Sequence, residues 1–284
     1  MDSHEKNPNP GDISAPTSSI EDVPSSLLLH ILTFLPLVDA VSTSLVSRRF
    51  RWLWLELPSI IISYREFPAY SSSSVTLDHF RCFVDQLLLL RQHSSSLTSF
   101  SLELPYQSHL RCAVDVWIQH AVRSKVRYLS LHFELPIYEF PFFFLRSGRV
   151  ESLRFSSCDV NLDCSPLVLS SLKSIEFSDL YLTDKMVTKI LEWCPNLEVL
   201  RLSEACGLCN FAIRSQNLKF LELSFLDGGE NCLSLELNCP ELLELKIRDL
   251  ELENCVIENL ASLITLEIRL GTWNLHAGGS SCNP

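Results

Sequence analysis

Cys206 and Cys209 are separated by two residues, the spacing of a thiol redox pair or of half a metal site. A structural zinc ion needs four ligands, and neither a second pair nor a nearby histidine supplies the other two. The two thiols therefore read as repeat-core or loop cysteines. The eight histidines (His4, His30, His79, His93, His109, His120, His132 and His276) are scattered singly and read as structural or solvated side chains. Asp249, Glu251 and Glu253 alternate over a short stretch, giving either a solvated face or a patch for a basic partner. No Gly-rich phosphate loop, Ser-centred nucleophile elbow or His-Glu metal helix occurs in the sequence. The residue types that could do chemistry thus define no catalytic residue, no metal site and no cofactor, and the chain reads as non-catalytic.

What remains is binding, and charge narrows the class of partner. The net charge is -11 and the sequence pI about 5.2, whereas a nucleic-acid surface needs clustered Arg and Lys to neutralise phosphates. An anionic membrane surface is disfavoured for the same reason, and the short basic patch Arg48, Arg49, Arg51 is too small to reverse it. The longest apolar run, Leu27 to Val38, is broken by His30, Thr33 and Pro36. It falls short of the roughly 20 residues a membrane-spanning helix requires. Residues 1–19 are polar and rich in proline, and they read as a disordered tail without the features of a secretory signal. The expected location is the nucleus and/or cytoplasm. In such a reducing compartment the odd number of cysteines, 11, fits small buried hydrophobes better than a disulfide framework.

The elements that must position a binding surface begin at Asp22. Leu27, Leu28, Ile31, Leu32 and Leu35 recur at helical spacing, with Asp22 or Ser25 as cap, Pro24 at the first turn and Pro36 ending the helix near Phe34. Asp39 is expected to cap a second helix carrying Ala40, Val41, Leu45 and Val46, and Ser47 to Trp54 forms a third segment. So small a unit cannot enclose all of these apolar side chains. Two routes exist for the surplus: the rest of the chain, or a partner protein.

The run Asp22-Val23-Pro24-Ser25-Ser26-Leu27-Leu28-Leu29-His30-Ile31-Leu32-Thr33-Phe34-Leu35-Pro36 resembles the opening of a plant F-box. Asp39-Ala40-Val41, Thr43-Ser44 and Ser47-Arg48-Arg49-Phe50-Arg51-Trp52-Leu53-Trp54 resemble its middle and end, with Val23 and Phe50 replacing the usual leucine and tryptophan. The resemblance implies docking on the Skp-type adaptor of a cullin-RING ubiquitin ligase. It places Val23, Pro24, Leu28, Ile31, Leu32, Leu35 and Pro36 on the docking surface. Val41, Leu45, Val46 and Trp54 divide between that surface and the module's own core.

Beyond it, Val75 to Arg91 and Leu110 to Val122 have helical spacing, and Leu97 to Leu102 alternates as a strand. The pattern apolar-x-x-apolar-x-apolar then recurs seven times. Its middle residues Leu129, Leu153, Ile175, Leu200, Leu221, Leu245 and Leu266 are spaced by 24, 22, 25, 21, 24 and 21. Periods in the low twenties mark leucine-rich repeats, each contributing one short parallel strand to a stacked solenoid. Cys232/Leu235/Leu237 is an additional half-copy. The returns are expected to be short helices or extended turns, the clearest being Thr183 to Trp193 with Met186, Val187, Ile190 and Leu191 inside; Asp163, Asp179 and Asp184 mark turns or caps.

Trp193-Cys194-Pro195-Asn196-Leu197 and Asn238-Cys239-Pro240-Glu241-Leu242 resemble the repeat junctions of the irregular leucine-rich repeats that follow many plant F-boxes. Too few residues follow Leu270 for the further C-terminal domain of many relatives, so the chain reads as a short or truncated member. The expected architecture is α/β: a tail over 1–19, a three-helix F-box over 20–58, a helical linker with the first irregular repeats over 59–125, and leucine-rich repeats with a curved parallel sheet over 126–284. By resemblance the chain links the adaptor, and through it a cullin, to an unknown target protein. The rival reading is a repeat scaffold that no longer assembles into a ligase. Solvent-facing candidates for the target are Arg127, Arg154, Glu176, Arg201, Glu222, Glu244, Lys246 and Glu267.

Overall fold

The computed structural model describes residues 20, 23–67, 77–91, 97–134, 138–162, 166–226, 233–250 and 252–269. The expected disordered tail over 1–19, Asp22, Asp163, Cys232 and Glu251 lie outside them.

The chain opens with two short helices, α1 (Ser25–Leu32) and α2 (Leu37–Ser42), followed by one-turn helical segments at Thr43–Leu45 and Leu53–Glu56. Of the expected caps within the described residues, neither Ser25 nor Asp39 takes that role. Pro24 and Pro36 occupy the positions before α1 and α2, neither helix has a side-chain cap bond, and Asp39 lies inside the first turn of α2. Proline suits such a position because its fixed φ already leads into a helix and the amide it lacks would have no partner there. Ser25 instead accepts a hydrogen bond from Arg49 Nη2 at 3.3 Å. The third segment is a series of turns, and not a regular helix, until Leu53.

The rest is a coil repeated around a parallel sheet of nine strands, an α/β architecture with few helices. In order these are β1 (Ser59–Ser63), β2 (Ser99–Pro105), β3 (Tyr128–Glu134), β5 (Ser152–Ser156), β7 (Ser174–Tyr181), β8 (Val199–Cys206), β10 (Phe220–Ser224), β12 (Glu244–Arg248) and β14 (Thr265–Arg269). All seven predicted repeat strands are present, and β1 and β2 extend the sheet back to the helical module. Ile60 and Ile62 of β1 are buried, so this strand continues the rows of inward apolar residues.

The returns differ along the solenoid. Early coils return through α3 (Leu77–Leu90) and α4 (Arg111–Arg123), and a middle one through α5 (Asp184–Trp193). Thr183 caps α5 by accepting from the amide of Met186 at 3.3 Å. Its inner face is Val187, Ile190 and Trp193, with Met186 and Leu191 only partly buried. Elsewhere the returns are themselves strands: β4 (Tyr138–Pro141) pairs with β6 (Cys158–Asn161), and β9 (Asn210–Arg214), β11 (Leu233–Asn238) and β13 (Leu252–Asn259) form a second parallel sheet. The half-copy containing Leu235 and Leu237 is β11 of that second sheet, where both residues point inward.

At or just beyond the end of the main strand the chain turns a corner through left-handed residues that recur: Ser157, Asp179, Glu204, Phe225 and Asp249 all have φ near 50°. One buried cluster runs without a break from Leu28 and Leu32 to Ile247 and Leu250. The helical module therefore caps the first coil of the solenoid, which could not otherwise cover its inward residues.

Candidate functional site

Two surfaces stand out, one at each side of that cap. The first is on the helical module. Along α1 the apolar residues divide between two faces. Leu28 and Leu32 are 1% exposed and fill the core, whereas Leu27 and Ile31, each one residue earlier, are half exposed. With i and i+4 stacked on one side of a helix, Leu27 and Ile31 form a row that Phe34 and Leu35 extend beyond the helix end. Leu45 (89% exposed) and Val46 (74%) stand out from the following turn, and Trp52 is also exposed. Arg49 ties the third segment back to the start of α1, through Ile20 O at 3.4 Å as well as Ser25.

Of the residues predicted for docking, Pro24, Ile31, Leu35, Pro36, Leu45 and Val46 are exposed, while Val23 and Val41 are half-buried against the core. Leu28 and Leu32 are a correction to that surface, and Trp54 falls to the module's core, one of the two places expected for it. They are packed within this chain, with Trp54 Nε1 donating to Arg51 O at 3.2 Å, so they shape the module without presenting themselves. Ile20, Leu27, Phe34 and Trp52 are exposed apolar residues that the resemblance did not assign. A cleft of about 270 Å³ separates this module from the sheet, with Phe34, Leu35 and Pro36 at one lip and Leu57, Ile61 and Glu66 at the other.

The second surface is the solvent face of the nine-stranded sheet. Register places Ile61, Ser101, Ser130, Arg154, Glu176, Arg201, Glu222, Lys246 and Glu267 on a single row across it. From Arg154 onward the charges alternate, and neighbours pair. Arg154 reaches Glu176 at 2.6 Å, Arg201 bridges Glu176 (2.6 Å) and Glu222 (3.4 Å), and Arg248 bridges Glu222 (2.8 Å) and Glu267 (2.9 Å). The hydrogen bond from Arg248 holds the Glu267 carboxyl below its ordinary range, and Glu267 in turn raises the guanidinium. Arg201 and Lys246 also lie over the ring of Phe220, at 4.3 and 4.9 Å from its centre. Glu244 is one row away, paired with Lys246 at 2.5 Å. Arg127 precedes β3 and pairs with Glu151 at 2.8 Å. All eight predicted target residues are thus on or beside this face, but seven of them, Arg127 aside, are bound into one ladder or its flank. The half of the face nearer the helical module lacks such charges along this row and carries Ser101 and Ser130 instead.

The chemistry-bearing residues fall elsewhere. Cys206 and Cys209 flank the corner at Gly207, where the Cys209 and Asn210 amides donate to Asp184 at 2.9 and 3.0 Å. Among the described residues no three His, Cys, Asp or Glu side chains gather as a metal site. Burial pushes the thiols of Cys158, Cys194 and Cys239 upward, to about 12 for Cys194, so these stay protonated as small hydrophobes. His120 Nδ1 is buried with no hydrogen-bond partner, and burial together with the charge of Arg91 lowers its pKa. Asp249 occupies a left-handed corner and Glu253 an exposed position of β13, so the acidic stretch is split between an edge and a strand. Among the described residues no helix is long and apolar enough to cross a membrane.

Comparison with known proteins adds an independent finding. Residues 20–61 match the family model of the F-box domain. Residues 89–272 match that of the leucine-rich-repeat domain of At1g61320/AtMIF1. The chain is similar to the F-box/LRR-repeat protein At3g26922 of Arabidopsis thaliana, 32% identical over 88% of this chain and 81% of the relative. It is 29% identical to the putative F-box/FBD/LRR-repeat protein At5g44950 of the same plant, over 93% of this chain and 60% of that protein. The F-box/FBD/LRR-repeat protein At2g26030, also of Arabidopsis thaliana, is 26% identical over 93% of this chain, which spans 60% of that relative.

Proposed function

The chain belongs to the plant F-box/leucine-rich-repeat proteins, and from that premise we propose that it is the target-recognition subunit of a Skp-cullin-F-box ubiquitin ligase. The observation that carries this reading is the exposed apolar row Leu27, Ile31, Leu35, with Leu45 and Val46 beside it, on a module whose own core is already filled. Of the two routes for the surplus apolar side chains, Leu28, Leu32 and Trp54 take the chain and this row is left for a partner. Fully burying a large apolar side chain stabilises by about 1.5–3 kcal/mol before the costs of association. A handful of such residues is enough to hold an adaptor, and a cullin is reached through it.

In this role the chain supplies no reacting group. It holds the adaptor at one end and a target protein on the repeat face, and ubiquitin transfer follows from the resulting effective concentration and orientation. The nucleus and/or cytoplasm is where we place this activity. The two departures from the usual F-box residues fit the proposal. Phe50 is buried and Val23 half-buried against the core, so both act mainly on packing within the module.

The test is co-elution of the purified full-length chain with a Skp-type adaptor. Wild type is expected to form a stable complex, and Ile31→Asp/Leu35→Asp to lose it while keeping the wild-type unfolding transition, because both residues face solvent. Failure of the wild type to co-elute sinks the ligase reading and leaves the non-catalytic scaffold.

A further inference from the structure

The row Ile61, Ser101, Ser130, Arg154 joins two unlike features of one face that lie three strand steps apart. At one end Ile61, half exposed, forms a wall of the apolar cleft with Leu57, facing Phe34 and Leu35. At the other, Arg154 is the terminal cation of the ladder. It engages Glu176 through Nε and Nη2 (2.7 and 2.6 Å), which leaves its second amino group for another acceptor, and its side chain is 65% exposed. Its register neighbour on the open side is Ser130, which is uncharged. Arg201 and Arg248, by contrast, each lie between two carboxylates.

Resting on the receptor reading above, we propose that this half of the sheet binds an extended segment of the target that places a large apolar side chain in the cleft at Ile61 and an Asp or Glu carboxylate on Arg154. Adjacent strands lie about 4.8 Å apart, so the three steps from β1 to β5 cover about 14 Å. An extended chain advancing about 3.3 Å per residue spans that in about four to five residues. The serine hydroxyls between the two ends donate to or accept from the segment's backbone without imposing a charge.

Charge fixes the direction. A planar guanidinium with a free amino group pairs well with a carboxylate, while Glu66 at the cleft lip repels an acid placed there. A basic residue at the Arg154 end meets that guanidinium, and Glu176 beside it is already shared by two guanidiniums.

Panning a random 12-residue displayed peptide library against the full-length chain tests the pairing. Selected peptides are expected to carry a Leu, Ile, Phe or Trp about four or five positions from an Asp or Glu. Their affinity, measured on synthetic copies, is expected to fall at least tenfold on Arg154→Gln and on Ile61→Asp, with Ile61→Ser intermediate. Peptides enriched in Lys or Arg, peptides lacking that spacing, or affinities unchanged by these substitutions overturn the inference. Displacement of the peptide by a stoichiometric Skp-type adaptor also overturns it, because the cleft would then belong to the adaptor. Co-elution with the adaptor is followed on the same proteins. A chain that holds the adaptor but selects no such peptide fails this inference alone, whereas wild-type chain that holds no adaptor fails the receptor reading.

Discussion

The carbonyl of Leu57 accepts a 2.8 Å hydrogen bond from Nη2 of Arg91, a residue 34 positions later at the end of α3. Nη1 of the same guanidinium donates to Trp54 O at 3.0 Å. Arg91 is thus a buried cation clasping the last turn of the F-box, and burial pulls its pKa down to about 10. Pro58 O just beyond accepts from the amides of Thr98 and Ser99, stitching the same stretch into the sheet. The exposed apolar row of the helical module and the repeat face are parts of one packed body, so their separation is set by the fold.

Replacing Arg91 by Met keeps much of the aliphatic volume but strands two buried carbonyls. Arg91→Met is expected to lower stability by on the order of 2–3 kcal/mol, the scale of charge-assisted bonds lost in a buried site. Urea unfolding measures the loss. Hydrogen exchange adds the location: faster exchange is expected across 25–57 and little change in β7 to β12. Uniform loosening of the whole chain would show that Arg91 is not a local clasp.

Gly207 turns the corner between β8 and β9 with φ +90°. A Cβ added there would overlap the ring of Tyr181 and come within 2.9 Å of the Leu182 carbonyl oxygen. Backbone strain and overlap act together, and Gly207→Ala is expected to cost on the order of 1–3 kcal/mol. A thermal unfolding midpoint equal to wild type would remove the structural reason for the Gly between Cys206 and Cys209 and return that pair to consideration as a chemical site.

The repeat strands were legible because alternation within a strand and recurrence at about 22 residues report the same geometry twice. β1 was missed because Ile61, on its solvent face, is apolar: the run Ser-Ile-Ile-Ile-Ser hides the alternation that Ser101 and Ser130 keep visible in the next strands. Strands β9 and β13 went unread since returns carry no period of their own. The two faces of α1 show the deeper limit. Leu27/Ile31 and Leu28/Leu32 have identical spacing, so sequence gives a helix that is apolar on both sides and not which side meets the solenoid. The charged ladder was visible only as separate solvent-facing residues. Partners such as Glu176 and Arg201 lie 25 residues apart, and register alone brings them together.

Hydrogen-bonded carboxylates on the ladder and outside it make stability depend on acidity in a defined direction. Hydrogen bonds hold Glu267 (from Arg248), Glu151 (from Arg127) and Glu139 (from Asn161, then Arg111) below their ordinary value of 4.5. A carboxyl with a depressed folded pKa favours the folded state when ionised. Its contribution is therefore complete above 4.5 and is lost as pH falls through the lower folded value. Stability in urea is expected to stay flat with respect to these groups around neutrality and to decline on acidification below about pH 5. Arg248→Gln returns Glu267 toward its ordinary value, so the variant is expected to start lower at pH 7 and to lose less on the way to acid. These pairs are exposed, and molar salt is expected to narrow the gap between wild type and variant. Parallel pH profiles for the two proteins would mean that Arg248 and Glu267 contribute shape to the repeat face and no stabilising charge.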